Sequence, residues 1–236
     1  KFLITWVMIF NQLFDPKSHT YTYIISSGQG REALIVDPVI EKTDEYLKIL
    51  ENLELKLVKV IDTHIHADHI SGLNELNKKT SCTRIMGDNS PSEVVDIRVK
   101  DGEKVKIEDI ELTALHTPGH TICSFSFFMK DRVFTGDTLL INGTGRTDFQ
   151  GGSAKDQYDS IFNRLLKLPE ETLVYPAHDY NGKKYSTIIQ EKNNNPRLQV
   201  SSLGEYEEVM NNLKLARPET MDVNIPANIK GLTLKI

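Results

Sequence analysis

Four side chains able to ligate a metal, His64, His66, Asp68 and His69, fall within Thr63-His64-Ile65-His66-Ala67-Asp68-His69, directly behind the apolar, β-branched run Leu57 to Ile61. No other feature of the chain restricts its fold as tightly. A strand must deliver this segment to a place where further imidazoles and carboxylates can join it. If the chain is still extended there, His64 and His66 project to the same side, because strand side chains alternate with period two. The helical spacing of Ile70 to Lys79 then places Asp68 and His69 near a helix start. Imidazole and carboxylate together suit zinc, iron or manganese, whereas calcium favours an all-oxygen set. A polar loop whose histidines only cap and pack is the other reading of such a segment. A lone histidine would fit it; His-x-His-x-Asp-His behind an apolar strand does not.

Further donors sit at the ends of later strands, as a site assembled from several loops requires. His120 lies in Thr117-Pro118-Gly119-His120-Thr121, Asp137 in Phe134-Thr135-Gly136-Asp137, and His178 in Tyr175-Pro176-Ala177-His178-Asp179-Tyr180. Gly119 and Gly136 permit tight turns or close backbone approach beside a ligand. With the first cluster they complete a set of seven: His64, His66, Asp68, His69, His120, Asp137 and His178.

The rest of the chain reads as interleaved strands and helices. Strands are expected at Tyr21 to Ser26 and Ala33 to Asp37, joined through Gly28-Gln29-Gly30, and again at Val105 to Ile107, Ile110 to Leu115, Phe125 to Met129, Arg132 to Thr135 and Thr172 to Tyr175. Helices are expected over Thr43 to Leu53 and, opened by the cap Ser153-Ala154-Lys155-Asp156, as far as about Leu168. Two β-rich halves, each with its own helices, fit a layered sandwich: one domain over 1–236, with 181–236 a short C-terminal extension packed on it. The length of 236 residues and an apolar fraction of 39% suffice for a sizeable core. A net charge of −5 argues against a nucleic-acid surface, and no stretch approaches the ~20 apolar residues of a membrane span. Two cysteines, Cys82 and Cys123, form no disulfide framework, so a reducing compartment is the default. Lys1 and the run Phe2 to Phe10 have the charged and apolar parts of a signal peptide, but no small-residue cleavage site follows, so the run reads as a first strand.

The order and contexts of the seven donors resemble the metallo-β-lactamase superfamily, over roughly Tyr21 to Tyr180. That resemblance implies an αβ/βα four-layer sandwich with metal at one edge, but leaves the reaction open. The segments Gly143-Thr144-Gly145-Arg146-Thr147-Asp148-Phe149-Gln150, Tyr175 to Tyr180, Asn195-Pro196-Arg197-Leu198 and Ile225-Pro226-Ala227-Asn228 are similar to the persulfide dioxygenases, the ethylmalonic-encephalopathy type of sulfur dioxygenase. Thr144 departs from the cysteine common there. The resemblance implies one Fe(II) per chain, held by His64, His120 and Asp137, and oxidation of glutathione persulfide by O₂ to sulfite and glutathione. His66, Asp68, His69 and His178 then orient ligands and water. The alternative is a glyoxalase II-like hydroxyacylglutathione hydrolase with two Zn, Fe or Mn ions. There His64, His66 and His120 hold one ion, Asp68, His69 and His178 the other, and Asp137 bridges. The ligand inventory does not separate these chemistries; the Arg146-Thr147-Asp148 neighbourhood favours the dioxygenase.

An arginine fork suits the carboxylates of glutathione, so Arg146 and Arg197 are candidate substrate contacts, with Tyr180 as a donor near the sulfur. Arg146 can equally brace the metal loop through Asp148. His116 is expected beside the ligands and Cys123 in the core; His19 carries no motif. The family implies a mitochondrial location in eukaryotes and a cytoplasmic one in bacteria, the latter being the expectation for this chain. A homodimer is compatible with the family, though no apolar stripe marks an interface.

Overall fold

The computed structural model describes residues 7–233. One sheet has the order β1 (Ile9–Asp15), β2 (Thr20–Ser26), β3 (Glu32–Val36), β4 (Lys56–Ile61), β5 (Thr83–Gly87) and β6 (Ile97–Val99). The first three strands pair antiparallel and β3 to β6 run parallel. The second sheet comprises β7 (Lys104–Ile107), β8 (Ile110–His116), β9 (Phe125–Met129), β10 (Arg132–Gly136), β13 (Leu173–Pro176) and β14 (Ser186–Thr187), adjacent in that order. A small hairpin, β11 (Leu139–Leu140) with β12 (Gly143–Thr144), follows β10.

Both faces of each central strand are covered, and the period-two alternation decides which core each residue enters. On β2, Tyr21, Tyr23 and Ile25 point into the core between the sheets with Leu34, Phe125, Phe127, Phe134 and Tyr175, while Ile24 points outward. The outer core of the first sheet receives α1 (Thr43–Asn52) and α2 (Leu73–Thr80) through Tyr46, Leu50, Leu73 and Leu76. That of the second receives α3 (Ala154–Phe162), α4 (Ile188–Asn194) and α5 (Leu203–Asn211) through Ile161, Ile188 and Tyr206. The result is the expected αβ/βα sandwich, with α6 (Met221–Lys230) laid across one edge.

Several boundaries differ from the sequence reading. The helix expected from Ile70 begins at Leu73, because the backbone before it is engaged elsewhere: Ile40 donates to the Ile70 carbonyl, Gly72 donates to that of Pro38, and Ser71 bridges Val39. The helix expected to reach Leu168 stops at Phe162 and resumes only as a 3-10 turn over Leu165–Lys167. Its cap is as expected, with Ser153 Oγ accepting from the Asp156 amide. Residues 2–6 of the expected first strand lie outside the described residues, and β1 covers Ile9 and Phe10 before running on to Asp15.

The sheets meet at one edge, and the site is there. The Tyr21 amide donates to the Ala177 carbonyl at 2.7 Å and the Phe125 amide to the Thr63 carbonyl at 2.9 Å. Strands β4, β10 and β13 all end at this edge.

Candidate metal centre

Each donor follows a strand end. His64 to His69 occupy the irregular loop after β4, and His120 lies in the loop joining β8 to β9. Asp137 and His178 follow the neighbouring parallel strands β10 and β13, so they emerge side by side. At Gly136 the chain turns with φ +53°, and a Cβ there would lie 2.7 Å from Thr63 Oγ1. Only glycine fits that turn without strain. Gly145 permits a second close approach: a Cβ on it would meet the Asp137 carbonyl at 2.1 Å and His120 Nδ1 at 2.9 Å.

All seven side chains converge. One ligating atom from each of His64, His120 and Asp137 lies within 4.8 Å of the other two, and the same holds for His66, Asp68 and His69. Asp137 lies between the groups: its Oδ2 is 4.0 Å from His64 Nε2 and 3.5 Å from His120 Nε2, while its Oδ1 is 3.6 Å from His178 Nε2. His178 Nε2 is also 3.6 Å from Asp68 Oδ2.

Hydrogen bonds fix which nitrogen each imidazole presents. His120 Nδ1 donates to the Arg146 carbonyl at 2.8 Å and His178 Nδ1 to that of His19 at 3.2 Å. The Thr63 hydroxyl donates to Asp37 and so accepts from His64 Nδ1, 2.9 Å away. His69 Nδ1 donates to Asp68, and His66 Nε2 donates to Asp37 at 3.2 Å. Every ring therefore has one N–H anchored on oxygen and the other nitrogen facing the pocket, the arrangement that orients metal-binding histidines. Buried His66 Nδ1, His69 Nε2 and Asp137 Oδ1 have no hydrogen-bond partner. Orphaned lone pairs of this kind are costly unless a cation meets them, so the donor set fits a divalent transition metal.

The electrostatics divide the imidazoles into two groups. Burial and the neighbouring imidazoles hold His64 well below the usual histidine range, and burial lowers His69, leaving lone pairs free. Burial also opposes charge on His66, yet the hydrogen-bonded Asp37 carboxylate lifts it to about 10. His178, likewise desolvated, is raised by Asp137 and Asp68. The carboxylates make the pocket a place that favours positive charge.

The three residues expected to touch substrate are placed differently. Arg146 Nε and Nη2 fork onto Asp148 at 2.6 and 2.8 Å, Nη1 donates to the Ala216 carbonyl, and the guanidinium covers Phe149. Of the two roles expected for it, the brace through Asp148 is the one its contacts display. Arg197 is half-buried and donates to the carbonyl and hydroxyl of Thr144, beneath the β11–β12 hairpin. Both of these bonds are made by Nη1. Tyr180 is 66% exposed, with its ring parallel to that of His178 at 6.2 Å, at the mouth. His116 departs from the expectation: its ring meets Asn89 and the Ile122 carbonyl and lies against Phe125. Cys123 is buried beside Ile65 and Met86 as expected.

Sequence reasoning missed Asp37, which accepts from the Thr63 amide at 2.7 Å as well as from His66. The signal was present, since Asp37 follows β3 at the edge where the other donors follow their strands. It also missed Asn224 and Asn228 of α6, which bond to the His66–His69 backbone from far along the chain.

A strand-edge pocket of imidazoles and carboxylates on an αβ/βα sandwich defines a metal-dependent enzyme class, and the family model described as the metallo-beta-lactamase superfamily matches residues 15–90 and 85–178. The chain belongs to that superfamily and, within it, to the persulfide dioxygenases. It is 39% identical over 226 residues to the mitochondrial persulfide dioxygenase ETHE1 of Mus musculus, covering 94% of this chain and 88% of the mouse protein. The crystal structure of ETHE1 from Myxococcus xanthus superposes with a TM-score of 0.91 at 45% identity, over 94% of this chain and 98% of that one. A hydroxyacylglutathione hydrolase of Pelagibacter ubique is 32% identical over 226 residues, covering 92% of this chain and 90% of its own.

Proposed function

We propose that this protein is an iron-dependent persulfide dioxygenase that oxidises glutathione persulfide with O₂ to sulfite and glutathione, consuming water and releasing protons. The observation that carries the reading is the likeness to named persulfide dioxygenases across nearly the whole chain, 39% for the mouse protein and 45% for the bacterial crystal structure. His64, His120 and Asp137, two imidazoles and a carboxylate, would hold one Fe(II). Bound there, iron supplies the redox chemistry between persulfide sulfur and dioxygen. The chain's own residues do the rest. Thr63 and the Arg146 carbonyl hold the His64 and His120 rings with Nε2 inward. His66, Asp68, His69 and His178 line the opposite wall and orient substrate and water. Tyr180, its ring parallel to that of His178 at the mouth, would offer its hydroxyl as a donor near the persulfide sulfur.

The hydrolase alternative has its own support in the Pelagibacter relative and in the unpartnered His66 Nδ1 and His69 Nε2, which a two-ion site would use, one on each ion. Anaerobic loading followed by elemental analysis, with oxygen uptake on glutathione persulfide measured beside hydrolysis of a glutathione thioester, separates the two. We expect one iron per chain and iron-dependent oxygen uptake. Two ions per chain with thioester turnover and no oxygen use would establish the hydrolase instead. We assign the protein to the cytoplasm of a bacterial cell or, in a eukaryote, to the compartment named for the mitochondrial mammalian relatives; residues 1–236 act as one unit.

A further inference from the structure

The loop carrying His66, Asp68 and His69 has no helix or strand of its own; the backbone over 62–69 is irregular. An irregular buried loop must find partners for its peptide groups elsewhere. Here one side chain supplies two of them, and a third just beyond the loop. Asn228 Nδ2 donates to the His66 carbonyl at 2.8 Å and to the His69 carbonyl at 2.9 Å, while its Oδ1 accepts from the Ser71 amide at 2.8 Å. The amide is 8% exposed, so water offers little substitute. One turn earlier on α6, Asn224 Nδ2 donates to the Ala67 carbonyl at 3.0 Å. Apolar contacts hold the helix in place on either side of this pair. Ala227 packs with Ile40 and Ile70, and Ile225 and Ile229 pack against the cluster of Ile65, Met86 and Cys123. Ile65 stands between His64 and His66 in the chain.

We propose that Asn228 is a positioning residue of the metal centre, fixing the backbone from which His66 and His69 project so that their free nitrogens face the pocket. It touches neither metal nor substrate. Its carboxamide acts as a template for the 66–71 turn, which neither carboxylate nor hydroxyl can reproduce: the turn requires two donors and one acceptor from a single planar group. The inference holds for one bound ion or two. Ion stoichiometry tests the dioxygenase reading; the ratio of affinities between variants tests this one.

The test compares Asn228→Asp and Asn228→Ala with Ile161→Val, a change in the distant core between the second sheet and its helices. Fe(II) affinity is measured anaerobically on the apoproteins by chelator competition, and amide exchange is followed over residues 64–71. Both Asn228 variants are expected to bind Fe(II) about 10–100-fold more weakly, the usual effect of disturbing the groups that surround a metal's ligands. They should also show faster exchange confined to 64–71, with Ile161→Val unchanged in both readouts. Asn228→Asp keeps the shape and the acceptor for Ser71, so it carries the comparison if the alanine variant fails to fold. Slow exchange of the Ser71 amide is expected in the wild-type apoprotein; fast exchange there would overturn the proposal. So would unaltered Fe(II) affinity in a folded Asn228 variant, or an equal loss in Ile161→Val.

Discussion

The two walls of the pocket are built in different ways. His64, His120 and Asp137 come from three separated strand ends on both sheets, and each is placed by the register of the strand before it. His66, Asp68 and His69 come from a single loop with no regular structure, held by Asp37 on one side and Asn228 on the other. The first wall derives its rigidity from the sandwich, where Gly136 and Gly145 let the backbones close up. The second derives it from side chains that stand in for secondary structure. Precision at a metal site can therefore come from strand register or from polar clamps, and this chain uses both within a few ångströms.

Substitutions can break or sharpen that contrast. The largest effect is expected at Asp137, which faces both walls at 3.5–3.6 Å. Asp137→Ala should abolish iron binding and oxygen uptake; full retention of both would rule out the triad. Next, His64→Ala and His66→Ala should part company. The first should lose iron even at saturating Fe(II), while the second should still load about one iron per chain at saturation, bind it more weakly, and lose turnover on the order of 10-fold or more. Equal loss of iron in the two would show the walls to be equivalent ligands.

Arg146→Ala follows. Its guanidinium is engaged by Asp148 and the Ala216 carbonyl while its own carbonyl anchors His120. Iron retention should fall several-fold, with less change in the KM for persulfide; a KM effect alone, with metal content intact, would restore it as a substrate contact. The smallest effect is expected at Glu191. It accepts from the Asn142 amide and from Asn195, which in turn donates to the Gly143 carbonyl, so it supports the hairpin behind the first wall. Burial raises its pKa, so the folded state keeps a proton that the unfolded chain has lost. The stability this contributes is complete below the ordinary glutamate range and disappears as pH rises through the raised value. Glu191→Gln should flatten that part of a Tm-against-pH curve by about 2–4 °C, the shift for roughly 1 kcal/mol in a domain of this size. Iron affinity should not change. Parallel Tm curves for the two proteins would remove Glu191 from this role.

The first wall was far more legible in the sequence than the second. Strands such as Leu57 to Ile61 and Arg132 to Thr135 announce themselves by apolar runs, and the donors just beyond them follow. Strand β5 escaped because Thr83–Gly87 opens with polar Thr83 and Arg84 and has no apolar run, and β6 because Ile97–Val99 has only three residues. The start of α2 was misplaced because Ile70 to Gly72 has helical spacing but gives its backbone groups to Pro38, Ile40 and Asn228. No local pattern encodes such long-range bonds. Asn228 itself lay in a segment singled out only by resemblance, and its partners His66 and His69 stand 162 and 159 positions away.

That separation has a bearing on how the protein is made. During synthesis the cluster His64 to His69 leaves the ribosome well before His178, and longer still before Asn228. A nascent chain thus has Asp37 and Thr63 in hand before the contacts from His178 and Asn228 exist. The contacts that surround the cluster are therefore complete only once α6 has docked, at the close of folding.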